Sequence, residues 1–280
     1  MARDRTIYYK TAEEIELMRQ SAMLVCKVHE HLAGRLMPGI SGKQLDKEAE
    51  ELIRDHGAEP SFLGYPGPTP FPASLCMSPN EVVVHGIPGD LEFRDGDIVS
   101  IDCGCYLNGF HGDVAYTYAV GEIAPEVMQL LQVTKASLYL GIDAAQPGRR
   151  IGDISHSIQH FVERQHGYGI VRELVGHGVG RNLHEAPEVP NFGKRGKGPK
   201  IQPGLVIAIE PMVNMGRKEV VAGADQWTVT TKDRQPSAHY EHTVAVLETG
   251  AEPLSDHRII ESAIRKNRNL SVVEDLRTVS

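Results

Sequence analysis

The feature that most constrains this chain is a weak internal repeat. Pro38-Gly39 returns as Pro147-Gly148, and His56-Gly57 returns as His166-Gly167. Asp95-Gly96-Asp97-Ile98-Val99-Ser100-Ile101-Asp102 is matched by Pro203-Gly204-Leu205-Val206-Ile207-Ala208-Ile209-Glu210, each pair separated by ~110 residues. A duplicated unit of this size points to two like halves, residues 11–120 and 121–254, related by a pseudo-two-fold axis. Helix signals open both. Thr11-Ala12-Glu13-Glu14 has capping-box spacing, and Ile15, Met18, Ala22 and Val25 follow at helical intervals until Pro38-Gly39. Ser41 to His56 reads as a second helix closed by Gly57. Pro125 starts a helix towards Ala145 that Pro147-Gly148 ends. β-branched runs then read as strands, so the class is α+β.

The repeat also carries chemistry. Each half ends one strand with an acid, Asp102 and Glu210, and places a second on a later strand, Asp113 and Glu241. A carboxylate taken out of water without a partner is costly or neutralises itself. For one acid alone, a solvated strand end or an arginine partner is the simpler reading. Four converging across a two-fold call for cations. Gly176-His177-Gly178-Val179-Gly180 adds an imidazole held by glycines, which gives the ligand set Asp102, Asp113, His177, Glu210 and Glu241. Carboxylates with one histidine suit hard or borderline divalent ions: cobalt, manganese, iron(II) or zinc. His111, His239 and His242 flank these acids. Two of the three are expected on the opposite sheet face, and none is taken as a ligand. Cys103 and Cys105 alternate with Asp102 and are read as core.

Composition excludes several classes. Four cysteines without a C-x-x-C pair make neither a disulfide framework nor a structural zinc site and fit a reducing compartment. No signal-like N-terminus or membrane-length apolar run is present, so a cytoplasmic protein without a membrane partner is expected. A net charge of −8 argues against a general nucleic-acid binder. Pro66–Pro72 and the basic stretch 193–198 read as loops, and the last twenty or so residues as a short helix and polar tail.

The motifs together resemble the type I methionine aminopeptidases of the pita-bread, or creatinase-like, superfamily, metallopeptidase family M24. The resemblance runs through Asn80-Glu81-Val82-Val83-Val84-His85-Gly86-Ile87-Pro88, Gly96–Asp102, Gly109-Phe110-His111-Gly112-Asp113, Gly176–Gly180, Leu183-His184-Glu185-Ala186-Pro187, Glu210-Pro211-Met212, Trp227–Arg234 and Ser237–Thr243. It implies a pita-bread fold, with antiparallel sheets forming the central site and helices packed outside. Residues 11–254 are the expected catalytic domain, with an N-terminal arm at 1–10 and a C-terminal extension at 255–280.

The resemblance also implies roles. Asp113 and Glu241 would bridge two divalent ions, Asp102 completing one site and His177 with Glu210 the other. Glu210 would also take a proton from the water between them. His85 would contact the scissile amide nitrogen and His184 the oxyanion. Phe62, Tyr65, Phe71, Cys76, Leu183 and Trp227 would line the methionine slot. Leu183 stands where relatives often have an aromatic residue, Phe62 where they often have cysteine, and the Pro66–Pro72 loop is longer.

The implied activity is removal of initiator methionine before a small second residue. Nascent N-termini are the expected partners of a monomer that touches the ribosome transiently, with Lys194, Arg195, Lys197, Arg217 and Lys218 as candidate basic contacts. Two other readings compete: an X-Pro aminopeptidase or dipeptidase of the same fold, and a non-catalytic pita-bread binding protein. The first usually carries an extra N-terminal domain, and the second commonly loses ligands that this chain retains.

Overall fold

The computed structural model describes residues 6–277. Helix α1 (Ala12–Arg35) begins as the sequence predicts. Thr11 Oγ1 accepts the Glu14 N–H at 3.3 Å and Glu14 Oε2 accepts the Thr11 N–H at 3.0 Å. Helix α2 (Gly42–Asp55) is capped by Ser41 and buries Leu45, Ala49 and Ile53. Strands β1 (Leu75–Pro79), β2 (Ile98–Leu107) and β3 (Phe110–Val120) are antiparallel, with β2 between the other two. Asn108 and Gly109, both at positive φ, make the two-residue turn that joins β2 to β3. That turn fixes the register, which sets Asp102 opposite Ala115 and Asp113 opposite Gly104.

The second half repeats the plan. Helix α3 (Pro125–Ala144) starts at its proline, and α4 (Ile151–Gln159) continues into a wider turn over His160–Gln165. Strands β4 (Gly176–Gly178), β5 (Glu185–Val189), β6 (Val206–Ile209), β7 (His242–Leu247) and β8 (Gly250–Pro253) form an antiparallel sheet in the order β8-β7-β6-β4-β5.

The halves meet where β3 runs beside the chain entering β7. The Glu241 N–H donates to Ala115 O at 2.9 Å, the Thr117 hydroxyl to His239 O at 2.7 Å, and the Tyr240 hydroxyl to Thr117 O at 3.1 Å. Every group on this seam is buried, so each needs its partner. One apolar core spans both halves, joining Leu32, Leu45, Ile101 and Tyr116 to Leu130, Ile158, Ile207 and Val244. Cys103 and Cys105 belong to it, as their alternation with Asp102 predicts.

The short helix expected at the C-terminus is present, and the expected polar tail is corrected. Helix α5 (His257–Lys266) is amphipathic and buries His257, Ile260, Ala263 and Ile264, and strand β9 (Leu270–Ser271) then pairs with β3 at Val120 and Ala119. The Asn267 side chain donates to Ala33 O and Leu36 O, both at 2.7 Å, and so satisfies carbonyls at the end of α1. Apolar residues at Ile259, Ile260, Ile264, Leu270 and Val273 drive this packing, and the intervening arginines and lysines mask it in sequence. Among the described residues no helix is long and apolar enough to cross a membrane.

Candidate metal centre and substrate slot

Asp102 on β2, Asp113 on β3, His177 on β4, Glu210 just after β6 and Glu241 just before β7 line one cavity of about 1290 Å³ at the seam. The tightest group is Asp113, His177 and Glu241, each with a ligand atom within 4.8 Å of the others. His177 Nε2 lies 3.8 Å from Asp113 Oδ2 and 3.5 Å from Glu210 Oε1. Gly176 and Gly178 are required by close approach: a Cβ on either would lie 2.4 Å from a carbonyl oxygen, of Ala208 and Ala186 respectively.

The electrostatics decide what this cavity wants. Burial and the neighbouring carboxylates push Asp102, Asp113 and Glu241 well above the ordinary carboxylate range. Asp102 Oδ1, Asp113 Oδ1 and Glu241 Oε1 are buried without a hydrogen-bond partner. Among the described residues, the ion pairs of Asp113 and Glu210 are with histidines, none with lysine or arginine. His177 Nδ1 sits 2.9 Å from Gly178 O, which can only accept, so Nδ1 is the donor and Nε2 is the nitrogen turned towards Asp113 and Glu210. Bare acceptors converging without a donor are a divalent-cation site, and the donor set fits one.

The other predicted residues gather around it. His85 follows the strand Val82–Val84 at φ 57, a left-handed conformation sparsely populated by a non-glycine residue. Burial lowers its pKa, which keeps the ring neutral. Its ring lies 6.3 Å from that of Trp227. The His184 ring lies tilted at 54° against that of His177 with centroids 4.2 Å apart, and its Nδ1 lies 2.7 Å from the Tyr65 hydroxyl. Phe62, Phe71, Ala73, Cys76 and Leu183 form a separate buried apolar cluster, with Tyr65, Ile87 and Trp227 packed against it. Trp227 Nε1 donates to Thr69 O at 3.1 Å in the Pro66–Pro72 loop, so that loop closes one side of the slot.

One residue was passed over. His239 Nε2 is buried, lies 3.5 Å from Glu210 Oε2 and faces the cavity. It ends the strand Ser237–His239, two positions before Glu241. His111 and His242 do turn away: His111 bonds Ser61 Oγ at 2.8 Å, and His242 bonds Ser255 Oγ at 2.5 Å and stacks on His257.

A model of metallopeptidase family M24 matches residues 16–248. The chain belongs to metallopeptidase family M24. Within family M24 it is 51% identical over 249 residues to methionine aminopeptidase 1 of Bacillus subtilis, covering 89% of this chain and 99% of that protein. The crystal structure of methionine aminopeptidase from Rickettsia prowazekii superposes with a TM-score of 0.87 at 36% identity, over 90% of this chain and all of that one. The prolidase of Pyrococcus furiosus shares the fold at a TM-score of 0.70 and 23% identity, and the chain covers 65% of it. The M24 fold seen here is the pita-bread fold, two αβ halves closing on a central site, as the repeat and the resemblance implied.

Proposed function

We propose that this chain is a methionine aminopeptidase that removes initiator methionine from nascent proteins. The observation that carries the reading is the cluster of buried carboxylates with unpartnered oxygens and His177 beside a buried apolar cluster that lines the same cavity. Its relatives at about half identity carry that name. Asp102, Asp113, His177, Glu210 and Glu241 would hold two divalent ions, of cobalt, manganese, iron(II) or zinc. When bound, the ions supply positive charge that lowers the pKa of water and polarises the scissile carbonyl.

The chain's own residues do the rest. Glu210 accepts the proton of the attacking water at a carboxylate oxygen. The Tyr65 hydroxyl, 2.7 Å from His184 Nδ1, orients the ring, and with that hydroxyl as the donor the His184 Nε2–H can meet the developing oxyanion. Neutral His85 contacts the amide nitrogen that leaves. Phe62, Tyr65, Phe71, Cys76, Leu183 and Trp227 take the methionine side chain and exclude water. Asp102 pairs in register with Cys76 of the slot, which sets a carboxylate where a free α-amino group arrives and limits cleavage to the first peptide bond. A small second residue fits best, because the walls meet a bulky one.

We take residues 11–254 as the catalytic unit of a cytoplasmic monomer acting on nascent N-termini with transient ribosome contact. The exposed basic stretch at Lys194, Arg195 and Lys197 supports the last point. The test is release of free amino acid from Met-Ala-Ser and Ala-Pro-Ala by chelator-stripped enzyme, before and after adding cobalt, manganese or iron(II). Metal-dependent cleavage of the methionine peptide alone is expected. Cleavage of the proline peptide alone would replace this reading with a prolidase-like one, and no cleavage with a binding protein.

A further inference from the structure

The segment 182–187 carries His184 and the slot residue Leu183, and it is held from outside the second half by the arm that precedes α1. Lys10 Nζ pairs with Glu185 Oε2 at 2.6 Å, and the two side chains are 5% and 4% exposed. A lysine and a glutamate this deeply buried are rare on their own, and desolvating both is unfavourable unless the geometry is held. Here it is held at both ends. Lys10 Nζ also donates to Tyr8 O at 3.1 Å, and the Lys10 N–H to Gly204 O at 2.7 Å, next to β6. Glu185 Oε1 accepts the Asn182 N–H at 3.2 Å, which closes the turn that contains Leu183 and His184. Ile7 bridges in parallel to Ala186. The arm residues Thr6, Ile7 and Tyr8 line the same cavity as the metal ligands.

We propose that the buried Lys10–Glu185 pair is a positioning device for His184, so that the N-terminal arm forms a working wall of the cleft. The chain of contacts is short. Lys10 fixes the carboxylate, the carboxylate fixes the Asn182 amide, and the turn between them sets where the imidazole and Leu183 stand. Among the described residues neither Lys10 nor Glu185 hydrogen-bonds or ion-pairs with a proposed metal ligand, which separates this device from the ion site. The inference rests on the assignment of His184 to the oxyanion.

The test uses the metal-loaded full-length enzyme and a double-mutant cycle between Lys10→Met and His184→Ala. Lys10→Met should lower kcat on the order of 10- to 100-fold, as misplacing a catalytic group does, with metal affinity by calorimetry unchanged. In the His184→Ala background the same change should cost little more, and amide exchange over 182–187 should accelerate in Lys10→Met. Additive effects in the cycle would overturn the positioning role, while full kcat in His184→Ala alone would instead overturn the oxyanion assignment. Because Lys10→Met leaves a buried charge unpaired and can unfold the chain, Lys10→Met/Glu185→Leu, which removes both charges, is the second variant. It should fold, bind metal and still turn over slowly. Wild-type kcat in it would sink the proposal.

Discussion

Asp113 and Thr243 lie on opposite halves of the molecule and are joined by two hydrogen bonds. The Asp113 N–H donates to Thr243 Oγ1 at 3.0 Å, and the same hydroxyl donates to Asp113 O at 2.8 Å. A single hydroxyl thus satisfies both backbone groups of a candidate metal ligand. Thr243→Val keeps the shape and removes both bonds. It should cost about 1–3 kcal/mol per buried group left unsatisfied and weaken metal binding as well. Denaturant unfolding of the metal-free protein and calorimetric titration with manganese read the two effects separately.

Asp113→Asn and Glu241→Gln should act in opposite directions on stability and function. Each removes one of several mutually repelling buried carboxylates, so the metal-free variant should melt higher than the metal-free parent. Neither should gain the further rise on adding metal that is expected of the parent, and activity should vanish. A parent-like metal-induced rise in Tm in either variant would argue against the site.

The slot offers a test of shape. A Cβ placed on Gly67 would lie 2.3 Å from Trp227 Cζ2, so the loop approaches the indole as only glycine permits. Gly67→Ala should displace the indole and lower kcat/KM for methionyl peptides by about tenfold, the usual cost of one misplaced methylene, mainly through KM. Metal affinity should stay at the parent value.

His29 predicts an acid limb in stability. It is fully buried, with Nε2 3.0 Å from Val114 O and Nδ1 2.9 Å from the Tyr118 hydroxyl, and burial lowers its pKa from 6.5 to about 4. Between those values the unfolded chain binds the proton that the native chain refuses, so stability falls as pH drops from 6.5 to 4. The full loss from this residue is about 3 kcal/mol. His29→Gln should flatten that part of the stability–pH curve while lowering stability at pH 7.

Much of the site was legible because the repeat marks it. Asp102 and Glu210 follow matching β-branched runs of the repeat, Asp113 and Glu241 precede matching ones, and a two-fold brings such positions together even though Asp102 and Asp113 lie inside longer strands than the sequence suggests. His239 was not legible in the same way. It has no repeat partner among the acids, and its two-residue spacing from Glu241 does not single it out, because His111 stands at the same spacing from Asp113 and bonds Ser61 instead. The capped helices and the Asn108-Gly109 hairpin follow from local chemistry. The pairing of Leu270 with Val120 does not, since a contact across 150 residues leaves no local signal. The same holds for Lys10 and Glu185, whose burial is decided by packing that neither neighbourhood announces.

The short strand Leu270–Ser271 has a bearing on solubility. Without it the end of β3 at Ala119 and Val120 would offer free backbone donors and acceptors within a row of apolar side chains, a template on which a second molecule can add its own strand. The Ser271 hydroxyl, bound to Gly121 O at 2.6 Å, locks the cover in place. The chain's last described strand therefore acts as a guard against self-association, occupying from within the place that a neighbour would otherwise take.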